Sequence, residues 1–286
     1  MGHRLINPTR IAKPFGKSGN KNKPRVFMFG IKDDGTGWHP RYAPRQLDQT
    51  LASLGITEIL VPEIEGANRK VAYRSSFQDV LGKTDMSVTV RSGSKSNAVL
   101  IGERKRGVAM FVDNEPIAVF SFPSGRTITA VCSRDTMLDR TMVLNQPRAS
   151  LRQVLGNSIV STVLKKSDLW EPAERVQAYF ALGLSQASCL HAWNDHENGA
   201  YNKNLTMLVE ERFPNSNCFD GYDIIEGRLN LFNLFKAQCT ALGMREDNII
   251  CDGWAVDEPN LDHDQRRKWC NKPGTNNRNL LISVTL

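Results

Sequence analysis

Three groups of residues in this sequence have the types and spacing to do chemistry. The run Cys189-x-His191-x4-His196, with Asp195, Glu197 and Cys218 near it in sequence, offers thiolate and imidazole, both zinc ligands. It lacks the paired short spacings of structural zinc sites, so it reads either as a metal site or as an ordinary loop holding a half-buried cysteine. Cys132 closes a β-rich run and is followed by Ser133-Arg134-Asp135. A strand end often reaches a cleft, and a neighbouring Arg can hold a thiol as its anion. The competing reading is a core position, because free cysteine is among the most buried residue types. The third group is Asp252, Asp257, Glu258, Asp262 and Asp264 with His263. Paired carboxylates suit acid–base or hard-metal chemistry, whereas Pro259 in their midst favours a solvated loop. The stronger signatures are absent: the sequence has no Walker loop, dinucleotide fingerprint, nucleophile elbow or zincin helix.

These residues need a scaffold, and the periodicity predicts one. Arg25 to Ile31 reads as a strand followed by a turn, and Gln46 to Leu54 as a helix that stops at Gly55. Short strands follow at Glu58 to Val61, Val71 to Tyr73, Ser87 to Val90 and Ala98 to Ile101. Gly107 to Val112 and Ile117 to Phe122 pair around Asp113-Asn114-Glu115-Pro116, and Thr127 to Val131 ends at Cys132. The texture then changes. Ser150 to Lys166 carries Leu151, Val154, Leu155, Ile159, Val163 and Leu164 at helical spacing. Val176 to Leu182 reads as a strand, Asn204 to Phe213 and Leu229 to Leu242 as helices, and Asn248 to Cys251 and Leu280 to Thr285 as late strands. Strands first and helices later, without βαβ alternation, predict an α+β fold with mixed β-sheets flanked by helices.

The chain has 286 residues, 40% of them hydrophobic and 23% charged, which excludes wholesale disorder and leaves room for a sizeable core. No apolar run approaches the length needed to span a bilayer, and no secretory signal is evident, so a soluble, cytoplasmic protein with no membrane partner is expected. The six cysteines are expected to be free thiols. The formal charge of +7 is concentrated: residues 1–25 hold Arg4, Arg10, Lys13, Lys17, Lys21, Lys23 and Arg25 with no acid, leaving 30 basic against 30 acidic residues in the remainder. The division expected is therefore a basic flexible arm over 1–25 and one domain over 26–286. The arm could contact an acidic partner or nucleic acid, and its removal is expected to leave the fold intact. The other basic clusters, Arg104-Lys105-Arg106 and Arg266-Arg267-Lys268, lack interleaved aromatics for base stacking apart from Trp269.

The order of signals resembles the laccase-domain family, also described as multicopper polyphenol oxidases and purine nucleoside phosphorylase-like enzymes. The residues that carry the resemblance are Glu63-Ile64-Glu65-Gly66 at a Gln-x-His-Gly turn and Thr84-Asp85-Met86-Ser87-Val88-Thr89 at an Ala-Asp-Ala-x-x-Thr segment. Val112 to Ile117 stands at an Ala-Asp-Cys-x-Pro-Val strand end, and Ile128 to Ser133 at a His-Ala-Gly-Trp-Arg-Gly turn. Ala181 to Ser185, Ile250-Cys251-Asp252 and Asn277-Arg278-Asn279 resemble the later elements, so the likeness spans residues 26–286. It implies a laccase-domain-like single domain, zinc, and a purine nucleoside or similar small polar substrate. In the family one Cys and two His converge. Here Glu65 and Cys132 stand at the two His positions and Asn114 at the Cys position, a set without a group that titrates naturally near neutrality.

Two readings follow from the resemblance. In one the site is rearranged and catalytic, for a phosphorylase-, deaminase- or oxidoreductase-type reaction: Cys132 as nucleophile or ligand, Glu65 as base or ligand, Asn114 as ligand, and Asn114 and Asp113 as orienting groups. Cys189 and His191 are second-rank metal ligands in that reading. In the other the chain is a non-catalytic relative, a binding or interaction protein.

Overall fold

The computed structural model describes residues 5–15, 23–30, 32, 36–80, 86–145, 148–166, 171–183, 189, 191–219, 227–251 and 278–285. Most of its strands are apolar on both faces, and a strand of that kind must be covered on both. Two stacked sheets with helices outside each satisfy this requirement. The first sheet takes the order β1 (Arg10–Ala12), β2 (Pro24–Phe29), β13 (Asn279–Thr285), β8 (Arg106–Val112), β3 (Glu58–Leu60), β6 (Thr89–Ser92) and β5 (Asp79–Val80). The second takes the order β12 (Ile249–Cys251), β11 (Gln177–Ala181), β9 (Ile117–Ser121), β10 (Thr127–Val131), β7 (Ala98–Ile101) and β4 (Val71–Ala72). Both sheets are mixed: β3 runs parallel to β6 and β8, while β13 is antiparallel to β2 and β8.

Period-2 alternation assigns the two faces. In β2, Val26 and Met28 face the layer between the sheets with Val108, Met110, Val119, Tyr179 and Leu281. Phe27 and Phe29 face the opposite way, against Leu47 and Leu51 of α1 (Ala43–Ser53). The outer face of the second sheet, including Phe120 and Ala130, packs against α4 (Leu151–Gly156), α5 (Ile159–Lys166), α6 (Gly199–Arg212) and α7 (Leu231–Ala241). Phe180 and Phe235 meet there at a centroid distance of 4.9 Å. The layer between the sheets is not wholly apolar. Thr129 and Ser283 share a hydrogen bond at 2.5 Å, and Thr127 and Thr285 one at 3.3 Å, joining β10 to β13 across the gap. Leaving one such buried hydroxyl unpaired costs about 1–3 kcal/mol, so these pairs favour a single register of the two sheets.

The α+β architecture agrees with the reading of the sequence; the differences are local and have causes. The single helix expected over Ser150 to Lys166 is two, because the chain turns at Asn157-Ser158. There the Ser158 hydroxyl donates to the Leu155 carbonyl and accepts from the Ser161 N–H, ending one helix and opening the next. The strand expected at Ser87 to Val90 lies at Thr89–Ser92, where Asp48 of α1 accepts from the Ser87 and Val88 N–H groups. After β10 the chain forms α2 (Arg134–Met137) and α3 (Arg140–Leu144), the latter capped by Asp139. Part of the segment 1–25 is built into the sheet. β1 pairs antiparallel with β2, Phe15 is 2% exposed in the layer between the sheets, and Ile6 exchanges backbone hydrogen bonds with the Thr50 hydroxyl.

Candidate functional site

Strand direction decides which loops meet. β3 and β8 end where β13 begins, Val112 standing opposite Asn279, and β10 and β11 end where β7 and β9 begin. The loops after β3 and β8, the turn after β10 and the entry to β13 therefore gather at one end of the sandwich. Asn97, fully buried, ties the loop after β3 to the end of β10. Its Oδ1 accepts from the Glu65 N–H at 3.0 Å, its Nδ2 donates to the Gly66 carbonyl at 2.7 Å, and its carbonyl accepts from the Val131 N–H at 2.8 Å. The Cys132 N–H donates to the Pro116 carbonyl at 2.8 Å, which brings in the β8–β9 connection. Asn97 was not singled out in the sequence. A polar residue directly before an apolar strand is a common sight there and carries no signal of its own.

The segments converge, but their side chains diverge. Glu65 is exposed and paired with Lys95 at 3.3 Å. Asn114 is half-buried. Asp113 is buried, with its Oδ1 at 3.9 Å from Arg278 Nε and its carbonyl accepting from Asn279 Nδ2 at 2.6 Å. Cys132 is fully buried among Ala118, Met137, Leu138 and Cys239 in the apolar layer under the helices, and burial pushes its thiol far up from the ordinary range. A thiol so placed is neutral at physiological pH and closed to a substrate, so the core reading of Cys132 is the one the packing supports.

Where these loops gather, a cavity of about 400 Å³ opens, lined by His39, Arg41, Glu63, Ser92, Phe111 and Arg278 together with Pro40, Val61, Pro62 and Ile64. The Trp38 N–H donates to the Arg278 carbonyl at 3.0 Å and the Trp38 indole to the Gly30 carbonyl at 2.6 Å, which seats the wall. His39 Nδ1 accepts from the Arg41 N–H at 3.1 Å, and its ring lies 5.1 Å from that of Tyr42. Arg278 bridges Asp113 to the mouth of this pocket. Two guanidinium groups, Arg41 and Arg278, and one carboxylate, Glu63, with an aromatic wall, suit a small polar ligand carrying negative charge.

A second polar cluster lies where α2, which follows β10, meets the segment before α6. Backbone hydrogen bonds from His191 N–H to the Gly227 carbonyl, 2.8 Å, and from Leu229 N–H to the Cys189 carbonyl, 3.0 Å, hold Cys189 and His191 in an extended pair. Gly227 is required there: its φ is +62°, and a Cβ would sit 2.1 Å from the His191 carbonyl oxygen. Cys189 Sγ is 3.7 Å from His191 Nε2, and Arg134 Nη1 is 3.2 Å from His191 Nδ1. Burial, then the charge of Arg134, lowers the His191 pKa to about 4, so the ring is neutral near pH 7.

Neither group fits zinc. In the first, Cys132 is enclosed in the core, and the Glu65 carboxylate is turned to Lys95. In the second, a guanidinium only donates, so Nδ1 must accept and the proton sits on Nε2, the atom a metal shared with Cys189 would need. Among the described residues no three His, Cys, Asp or Glu side chains are placed to hold a metal ion. The acidic stretch Asp252 to Asp264, Arg266-Arg267-Lys268, Cys270, Asn277, the Thr84-Asp85 and Leu184-Ser185 pieces, and Arg4, Lys17 and Lys21 lie outside the described residues. No described helix is long and apolar enough to cross a membrane.

No family model matches the sequence, and no curated protein does. The fold has matches among solved structures. The hypothetical protein YfiH of Bacillus licheniformis superposes with a TM-score of 0.57 at 9% identity, covering 93% of this chain and 94% of the other. Neisseria meningitidis NMB0706, described by the family model DUF152, gives 0.55 at 11%, covering 98% and 96%. YlmD from Geobacillus stearothermophilus gives 0.58 at 12%, covering 98% of both chains. At these identities the likeness is one of fold, and that fold is the one implied by the resemblance to the laccase-domain family.

Proposed function

We propose that this protein is a non-catalytic member of the laccase-domain fold that binds a small, negatively charged polar molecule of nucleoside or nucleotide size. The observation that carries this reading is a divergence at one end of the sandwich. The loops that would build a catalytic trio come together through Asn97 and the Cys132–Pro116 backbone bond, yet Glu65 turns to Lys95 and Cys132 turns into the core. The pocket beside them, with Arg41, Arg278, His39, Glu63 and Phe111, has the size and charge to hold a ligand without any of the three. Arg278 and Arg41 would meet the negative charge, Glu63 would accept from an amine or hydroxyl, and Phe111 would give apolar contact.

Isothermal titration with purine nucleosides and their monophosphates tests the reading. A monophosphate is expected to bind, and Arg278→Ala to weaken it about tenfold, the loss of one charge-assisted hydrogen bond. Phosphorolysis or deamination of a nucleoside that Cys132→Ala abolishes would overturn it in favour of the enzyme. So would stoichiometric zinc in elemental analysis of the purified protein.

A further inference from the structure

The Cys189 cluster is not used by the pocket, and its geometry is unlike that of a sulfur merely filling space. Arg134 is held in place from three sides. Its Nε donates to Asp135 Oδ1 at 2.8 Å, its Nη1 to His191 Nδ1 at 3.2 Å, and its guanidinium lies 5.3 Å from the centroid of the Tyr201 ring. Arg140 lies over the same ring at 5.4 Å. Among the described residues, further charges nearby are Asp139, paired with Arg69 at 2.9 Å, and Asp135 itself. Cys189 and Tyr201 both lie within electrostatic reach of Arg134. Tyr201 is 8% exposed, and its hydroxyl is buried without a hydrogen-bond partner among the described residues.

Chemistry orders these contacts. Arginine cannot accept a hydrogen bond, so His191 presents the lone pair of Nδ1 to Arg134 and the N–H of Nε2 to the sulfur. Cys189 therefore sits at the receiving end of a relay, guanidinium to imidazole to sulfur, in which each donor polarises the next. This is the reverse of a cysteine hydrolase, where the imidazole takes the thiol proton. A sulfur that accepts, beside a fixed cation, is favoured as the anion, and the anion is the nucleophile.

We propose that Cys189 is a peroxide-reactive thiol, oxidised to a sulfenic acid by hydrogen peroxide or a small hydroperoxide within the cluster of Arg134, His191 and Tyr201. The thiol proton is lost to solvent, and the thiolate attacks one peroxide oxygen. The S–O bond forms as the O–O bond breaks, and the leaving oxygen departs as hydroxide or alkoxide and is protonated by water. Sulfur is oxidised by two electrons and the peroxide is reduced by two. Cys189 keeps about a tenth of its surface open, and hydrogen peroxide is among the smallest oxidants that could use it. The buried Tyr201 hydroxyl, which has no hydrogen-bond partner among the described residues, leaves a donor on the ring that Arg134 lies over.

The test compares native and unfolded protein. The chain is given a brief hydrogen peroxide pulse at mildly acidic pH, quenched with catalase and unfolded into dimedone, and each cysteine is read by peptide mass spectrometry. A parallel sample is pulsed already unfolded in urea. For each tenfold gain in thiolate, a Brønsted slope of about 0.4–0.5 takes back roughly a factor of three, so native Cys189 is expected to oxidise at least about threefold faster than unfolded Cys189. Native Cys132, Cys218 and Cys239, all pushed up by burial, are expected to oxidise slower than when unfolded. Arg134→Gln is expected to erase the Cys189 advantage while circular dichroism and the other cysteines stay as in wild type. Native Cys189 reacting no faster than unfolded Cys189 overturns the proposal, because that is what a merely buried thiol does. An Arg134→Gln chain that folds and keeps the full native rate overturns it as well.

Discussion

Phe15 decides whether the basic N-terminal segment is an appendage or part of the fold. Its ring is 2% exposed and lies in the layer between the sheets with Ala12, Val26 and Met28, near the edge that β1 closes. Lys23 Nζ is 6.0 Å from its centroid and donates to Gln177 of β11 in the other sheet, so this corner is stitched across the sandwich. Burying a phenylalanine is worth about 1.5–3 kcal/mol by transfer, and the cavity left by truncation adds to the loss. An edge relaxes more than a centre, which places Phe15→Ala at about 3 kcal/mol, or a fall of roughly 5–10 °C in melting temperature for a chain of this size. Ile11 of β1, four residues before Phe15 and 53% exposed, is the control: Ile11→Ala is expected to cost under about 1 kcal/mol. Urea unfolding followed by tryptophan fluorescence, with matched slopes, measures both. A chain lacking residues 1–24 is expected to be destabilised at least as much as Phe15→Ala. If Phe15→Ala unfolds at the same urea concentration as Ile11→Ala, the packing argument is wrong and the segment is a free arm.

Three further outcomes are expected. Burial raises the pKa of Glu58, but hydrogen bonds from Arg74 and Arg91 and the charge of Arg106 outweigh it and hold the carboxyl below the usual range. Its contribution is therefore present above the unfolded glutamate pKa of about 4.3 and lost as pH falls through the folded one. Glu58→Gln should lower stability at neutral pH, with the gap to wild type narrowing in acid; parallel stability–pH curves would contradict this. Cys132→Ala should cost about 1–2 kcal/mol in urea unfolding and leave ligand titrations of the pocket unchanged, since the thiol is packed under the helices. Gly227→Ala, forced against the His191 carbonyl at a positive φ, should destabilise by about 1–3 kcal/mol and release native Cys189 from its cluster, seen as loss of its fast oxidation.

Much of the scaffold was legible because its signals are local. Ala98 to Ile101 and Thr127 to Val131 form strands with the bounds expected, and the helix from Leu231 ends at Gly243, whose φ is +94°. Where local and distant forces compete, the expectation moved. A seventeen-residue apolar stripe reads as one helix, yet the Ser158 hydroxyl offers the backbone an alternative and splits it. β1 is too short to show a period, and its stability comes from pairing with β2.

For the site, the resemblance to the laccase-domain family, rather than residue type or spacing, indicated which loops belong together: the turn at Glu65, the connection holding Asp113 and Asn114, and the strand end at Cys132 do gather at one end. Side-chain direction was not contained in that resemblance. Whether Cys132 faces a cleft or the core depends on which face of β10 the helices cover, and the fate of Glu65 depends on Lys95, thirty residues away, with which it pairs. The pocket draws His39, Phe111 and Arg278 from three distant stretches, and the relay brings Arg134 to His191 and Cys189, more than fifty residues further along the chain. Propensity and hydrophobic period are properties of neighbours in sequence, so the chain by itself determined its strands, helices and layers. Contacts between residues far apart in sequence exist only after the sheets have stacked, and these alone decided which polar groups meet.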